Sequence, residues 1–237
     1  MMMKKKDYDL EEILKSIKIM IHSKEKILIY GCGPSLENTM KYILKINGNN
    51  IFNNSINLCA DGATRLLREK SVPVDAIFTD LDGISDVDFL YSKFVIVHAH
   101  GDNIDKMQKF KDVIINFKNV VGTTQVEPTK YILNPGGFTD GDRILFFLKS
   151  FLKPTHNIFL IGMDFDKIVG KYSKIDKYNN FKASRTKRKK LKYAKFLLEW
   201  IQSQIPCPVY NVNSNKSTKK LNNLTLFEFK KFVIFSN

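Results

Sequence analysis

The chain has 237 residues, 43% of them hydrophobic, and carries 38 Lys and Arg against 24 Asp and Glu, a net charge of +14. That length supports one sizeable α/β core. The absence of any apolar run near the roughly 20 residues of a membrane helix, and the charged start MMMKKKDYDLEEILK, argue against a membrane span or a secretory signal. Three scattered cysteines, Cys32, Cys59 and Cys207, fit neither a disulfide framework nor a zinc site. A reduced, cytoplasmic protein is therefore expected.

In chain order, Leu10, Ile13, Leu14, Ile17 and Met20 or Ile21 fall on one face of an amphipathic helix over residues 9–21. Strand Lys26–Tyr30 leads through a turn into a helix over Leu36–Lys45. Strand Ile56–Ala60 and helix Ala63–Glu69 follow. Next come strand Ala76–Thr79, a short helix Asp86–Tyr91, strand Phe94–His98, a helix near Ile104–Phe110 and strand Asn119–Gly122. Asp140–Leu152 reads as a helix, Asn157–Gly162 as a buried strand, Ser184–Ser203 as a long lysine-rich helix, and the Asn/Lys/Ser-rich segment Asn211–Asn223 as a surface loop. Strands alternating with helices predict a doubly wound, mostly parallel, Rossmann-like α/β sheet. The expectation is a single catalytic domain over 1–237, with an N-terminal helix (1–24), a core (25–166) and a basic helix with a C-terminal extension (167–237).

Polar signatures follow the strands: "GCGPS", "ADGA", "TDLDG", "HAHGDN", "GTTQ" and "GMDFD". In an open parallel sheet they converge at the carboxyl ends of the strands, where ligands bind. The first is not a dinucleotide fingerprint, since Leu36 stands where a third glycine is needed. Gly31 and Gly33 allow close backbone approach or positive φ, Pro34 suits a first helical turn, and Ser35 can cap the helix or donate to phosphate. Glu37 would repel a bare phosphate unless magnesium intervened.

Three aspartate pairs are spaced by one residue: Asp80/Asp82, Asp140/Asp142 and Asp164/Asp166. In a loop such pairs can turn toward one hard cation, and magnesium is typically held by one or two carboxylates plus substrate phosphates. Asp80/Asp82 is the best candidate, because it ends a clear strand and closes on Gly83. Asp140 and Asp142 open a helix, where the helix dipole alone rewards a carboxylate by about 0.3–1 kcal/mol; capping and function stay open for that pair. His98 and His100 can contact phosphate or substrate, move protons, or form a structural pair. "NPGGFTDGDR", Asn134–Arg143, reads as a ligand-facing loop entering a helix, with Phe138 able to stack on a ring and Arg143 able to reach phosphate. The basic run Arg185–Lys195 belongs to a docked helix: a solvated face, a polyphosphate contact by one or two lysines and a nucleic-acid stripe are the three readings. No nucleic-acid motif supports the last.

Taken in this order, "GCGPSLE", "ADGA", "TDLDG", "HAHGDN", "GTTQ", "GGFTDGDR" and "GMDF" resemble the archaeal 6-hydroxymethyl-7,8-dihydropterin pyrophosphokinase family over about residues 27–166. The resemblance implies an enzyme using Mg2+ and ATP as co-substrate, which moves a diphosphoryl group to the pterin hydroxymethyl oxygen and releases AMP, on a route to tetrahydromethanopterin or a folate. It implies that Asp80 and Asp82 hold the metal and carry catalysis, and that Gly31, Gly33, Pro34 and Ser35 contact nucleotide phosphates. It places Asp61 and Gly62 at nucleotide or metal, and His98, His100, Asp102 and Asn103 at phosphate or pterin. Thr123, Thr124, Gln125, Gly136, Gly137, Thr139, Asp140 and Arg143 complete the implied binding set. The expected partners are ATP and the reduced pterin, with no specific nucleic acid and no membrane; a homo-oligomer is possible. The resemblance extends to the glycosyltransferase-like domain of flagellar motility accessory factors, in the same family group, and the "GxGPSL" turn is similar to the nucleotide loop of some bacterial sialyltransferases, so a nucleotide-sugar glycosyltransferase is the alternative.

Overall fold

The computed structural model describes residues 8–212 and 218–234. Its elements in order are α1 (Leu10–His22), β1 (Lys26–Tyr30), α2 (Leu36–Asn47), α3 (Asn50–Asn53), β2 (Ile56–Ala60), α4 (Ala63–Glu69), β3 (Val74–Thr79), α5 (Asp86–Leu90) and β4 (Ser92–Ala99). They continue with α6 (Ile104–Lys109), α7 (Lys111–Asn116), β5 (Val120–Thr124), β6 (Ile132–Leu133), α8 (Asp140–Leu148), β7 (Asn157–Ile161), β8 (Ile168–Val169) and β9 (Phe181–Lys182). The last are α9 (Arg185–Ile201), β10 (Val209–Val212), β11 (Asn222–Leu224) and α10 (Leu226–Ile234).

Nine strands form one sheet in the order β11-β10-β7-β1-β2-β3-β4-β5-β6. All eight pairings are parallel, with β1 in register from Ile27 on Ile56 on one side and from Lys26 on Asn157 on the other. Strands buried on both faces need near-continuous apolar runs, and "KILIY", "INLCA" and "NIFLI" supply them. Alternation sends Leu28 and Tyr30 to one core with α2, α4 and α10, and Ile27 and Ile29 to the other with α1, α8 and α9. The doubly wound sheet is as the sequence predicts.

The C-terminal segment differs from its expectation. Asn211–Asn223 is not simply a surface loop: Asn211 and Val212 finish β10, and Asn222 and Asn223 open β11. Residues 213–217 of the expected loop lie outside the described residues. Thr218 and Asn223 satisfy one another at the start of β11. Thr218 Oγ1 donates to Asn223 Oδ1 (2.7 Å), and Asn223 Nδ2 donates to the carbonyls of Thr218 and Leu221 (2.7 and 3.1 Å).

Strand order reverses between β1 and β7, adjacent strands whose following connections run to opposite sides of the sheet. A crevice opens at such a switch point, outside the carboxyl ends of the strands. The antiparallel hairpin β8–β9 crosses over it.

Candidate active site

A cavity of about 590 Å³ lies at this switch point. Its floor is built from the ends of β1 (Gly31, Cys32, Gly33), β2 (Asp61), β3 (Asp80, Asp82) and β7 (Gly162, Met163, Asp164), and from the start of α8 (Thr139, Asp140). Its roof is the segment 168–182 and the first turns of α9.

The centre is acidic. One carboxylate oxygen each from Asp61, Asp80 and Asp140 lies within 4.8 Å of the others. Asp61 takes a left-handed backbone (φ 47°) just past β2, and its Oδ1 accepts a 2.7 Å hydrogen bond from Thr79 Oγ1. Gly83 leaves room for it, since a Cβ there would stand 2.3 Å from Asp61 Oδ2. Burial first, and the Asp80 charge second, push the Asp61 carboxyl up from its ordinary range. Burial also pushes Asp140 well up, reinforced by Asp80 and Asp61 and offset in part by Arg143 and Lys187.

These oxygens suit a hard divalent cation. Three converging carboxylates repel one another, and no Lys or Arg forms an ion pair with any of them among the described residues. His100 Nε2 stands 3.6 Å from Asp80 Oδ2. The donor set is hard oxygen only, which matches magnesium.

The metal pair expected from sequence, Asp80 with Asp82, is not the arrangement the structure assembles. The chain turns at Leu81 (φ 70°), and Asp82 reaches away to the ammonium groups of Lys106 and Lys174 while still lining the cavity. Asp140 and Asp142 divide the two roles left open for them. Asp142 caps α8, accepting from the amides of Phe138 (2.6 Å) and Thr139 (2.8 Å) and from Thr139 Oγ1, whereas Asp140 joins the cluster. Asp164 Oδ2 accepts from the Ser35 amide at 2.8 Å, and Asp166 accepts locally from the Lys167 amide.

The "GCGPS" turn lines the cavity through Gly31, Cys32 and Gly33, and it also has a packing role. Neither Gly31 nor Gly33 has a positive φ. Both are needed for close packing on the end of β7: the Gly31 amide donates to Ile161 O (2.8 Å) and the Gly33 amide to Gly162 O (2.7 Å). Ser35 makes no side-chain cap, and its amide, which a phosphate would have used, is already held by Asp164. Glu37 is neutralised by Lys171 (2.9 Å) and Lys41 (3.3 Å).

The remaining expected residues form a shell beside the cavity. Asn103 is buried and spent internally: its Nδ2 donates to His98 O (2.7 Å) and Asp80 O (3.0 Å), and its Oδ1 accepts from the His100 amide (3.0 Å). Asp102 is exposed, and its amide donates to His100 Nδ1 (3.2 Å). His98 Nδ1 pairs with Thr123 Oγ1 at 3.1 Å, while its buried Nε2 has no partner among the described residues. Burial, then the charges of Arg143 and His100, push His98 down to about 3, so the ring is neutral near pH 7. Arg143 is itself buried and donates from Nη1 to Gly136 O (3.2 Å); Gly136 and Gly137 (φ 90° and 87°) form the turn that wraps it. Pro34, Gly62, Thr124 and Gln125 do not line the cavity. Sequence reasoning missed Lys174 and Lys182, which do; a lone surface lysine carries no local signal.

Ordered strand-end motifs around a carboxylate triad are what the comparisons with known proteins bear on. Residues 3–170 match the family described as 6-hydroxymethylpterin diphosphokinase MptE-like. The chain belongs to this family. A relative from Pyrococcus furiosus named 6-hydroxymethyl-7,8-dihydropterin pyrophosphokinase is 40% identical over 204 residues, 85% of this chain and 80% of the relative. One of the same name from Methanocaldococcus jannaschii is 36% identical over 203 residues, 80% of this chain and 79% of the relative. Among solved structures, the MAf glycosyltransferase from Magnetospirillum magneticum AMB-1 matches with a TM-score of 0.51 at 13% identity, over 85% of this chain and 33% of that one. That likeness is one of fold alone. This MptE-like chain therefore shares its sheet with a glycosyltransferase and its sequence with pterin pyrophosphokinases.

Proposed function

We propose that the chain is a 6-hydroxymethyl-7,8-dihydropterin diphosphokinase, which transfers the β,γ-diphosphate of ATP to the hydroxymethyl oxygen of the pterin and releases AMP. The observation that carries this reading is the Asp61/Asp80/Asp140 triad at the switch point of a parallel sheet, in a cavity of the size a nucleotide needs. The names of the curated relatives supply the substrate class.

Asp61, Asp80 and Asp140 would hold magnesium, which would supply positive charge to offset that of the polyphosphate. The rest is the work of this chain. Phosphoryl transfer leaves little covalent chemistry to the protein, so positioning and charge stabilisation dominate. Thr79 fixes the Asp61 carboxylate, and Asn103 ties the end of β4 to the backbone of Asp80. His100 accepts the Asp102 amide at Nδ1, which leaves Nε2 as the ring's N–H, facing Asp80. That leaves the β4 end, with His100 and the exposed Asp102 carboxylate, to meet the pterin's amino-pyrimidinone edge, a donor pair that a carboxylate complements. Hairpin β8–β9 and the segment between its strands cover the cavity and limit access of water, which would otherwise compete with the alcohol.

Incubation with ATP, Mg2+ and 6-hydroxymethyl-7,8-dihydropterin should release AMP and form the pterin diphosphate in equal amounts. Formation of ADP, or hydrolysis indifferent to the pterin, overturns the proposal. Preferential binding of CMP- or UDP-sugars would favour the glycosyltransferase alternative.

A further inference from the structure

Helix α9 begins over the cavity and ends in the core. Its buried residues, Ala194, Leu198 and Ile201, define the inward face, and Leu198 and Ile201 pack with the core on the α8 side of the sheet. Trp200 stacks on Phe146 of α8 with ring centroids 5.9 Å apart, which fixes the rotation of the helix. At about 100° per residue, Lys187 lies at the centre of this inward stripe, with Lys190 and Leu191 within about 60° of it. Over the first turns the inward face therefore carries lysine where its continuation carries Ala, Leu and Ile. It can do so because it overhangs the cavity: Thr186, Lys187, Lys190 and Leu191 all line it.

Neither Lys187 nor Lys190 has an ion-pair partner within 4.0 Å among the described residues. Across the cavity stand the three carboxylates, to which no ammonium group is bound. A basic wall and an acidic floor left unpaired across such a gap call for a group that satisfies both, namely an oxyanion facing the lysines with a cation beneath it. The Ser184 cap, whose Oγ accepts from the Lys187 amide at 3.1 Å, directs the positive end of the helix dipole to the same side.

We propose that Lys187 and Lys190 form a clamp for the outer phosphates of a nucleoside triphosphate, opposite the carboxylate triad, so that the leading end of the basic helix is a binding element and the remainder of its charge is a solvated face. This rests on the nucleotide reading of the cavity. The clamp distinguishes triphosphate from monophosphate: it holds the diphosphoryl group that is transferred and releases the AMP that is left.

The test is titration calorimetry of the full chain with ATP–Mg2+ and with AMP, using Lys187→Ala, Lys190→Ala and Lys189→Ala. Lys189 lies about 200° round the helix from Lys187, is exposed and does not line the cavity, so it removes the same charge from the other face. Loss of a charge-assisted phosphate contact should weaken ATP binding roughly tenfold or more in each of the first two variants. AMP binding should stay within about twofold of the parent in those variants, as should ATP binding in Lys189→Ala. Parent-like ATP binding by Lys187→Ala and Lys190→Ala, or equal weakening by Lys189→Ala, overturns the clamp while leaving the nucleotide reading intact. A parent chain that binds neither nucleotide overturns both. All three variants alter a helix surface and no core contact, so each should still melt in a single cooperative transition.

Discussion

At the scale of residues, the site is governed by what the folded chain does to charge. Asp140 is pushed up by burial and by two neighbouring carboxylates, so placing this carboxyl in the site costs the fold stability in the absence of a cation. Asp140→Asn should therefore raise the melting temperature of the metal-free protein, by about 2–4 °C for each kcal/mol of repulsion removed, while abolishing pterin-dependent AMP release. It should also reduce the stabilisation that millimolar Mg2+ confers. Asp82→Asn, a change at a residue bound to two lysines, should keep that Mg2+-induced shift, and thermal melts with and without Mg2+ separate the two variants. His98 works in the opposite sense. Its folded-state value of about 3 lies below the ordinary value of 6.5, so the unfolded chain takes up a proton that the folded chain refuses. The cost begins as pH falls through 6.5 and grows until about 3, reaching roughly 1–2 kcal/mol at pH 5. Urea midpoints of the parent should thus fall more between pH 7 and pH 5 than those of His98→Gln; equal falls would place the proton uptake elsewhere.

At the scale of elements, the strand ends are held by contacts that leave no space for side chains. A Cβ on Gly33 would stand 2.4 Å from Asp164 Oδ2 and 2.5 Å from the carbonyl oxygen of Gly162, and the backbone oxygen cannot swing aside. Gly33→Ala should destabilise the fold by roughly 1–3 kcal/mol, read as a lower urea midpoint at unchanged slope. It should disturb the β1–β7 junction where the cavity opens. The elements themselves differ in how plainly they are written. The apolar strands from Lys26–Tyr30 to Asn157–Ile161 are bracketed by Gly and Asp and were legible. Strands β10 and β11 were not, because "VYNV" and "NNL" are short and Asn-rich. The side chains of Asn211 and Asn223 reach Thr218, across a loop from β10, and composition does not record such pairing. Helix α10 was missed for a related reason: its docking residue Phe229 packs on Phe159 of β7 (5.1 Å between centroids), a contact across 70 positions that no local window contains.

At the scale of the molecule, one parallel sheet from residue 26 to residue 224 sets both the place of the site and the sense of the charge around it. The net charge of +14 is a poor guide on its own: most of the basic helix faces water, and the part that bears on the cavity is the face directed by the packing of Ala194, Leu198 and Ile201. Among the described residues, no helix is long and apolar enough to cross a membrane. The amino-acid sequence by itself determined the fold class, through the apolar period of strands and helices, and the end of the sheet at which the candidate site lies, through the Gly- and Asp-rich segments that follow each strand. It also determined the family, through the order of those segments. Only the tertiary structure decided which carboxylates meet. Asp80 and Asp82 are two positions apart yet separated by the turn at Leu81, whereas Asp61, Asp80 and Asp140, spread over 80 positions, are brought within 4.8 Å of one another. The physical reason is that proximity in a parallel sheet follows from strand order and register, which are set by burial on both faces of the sheet and not by separation along the chain.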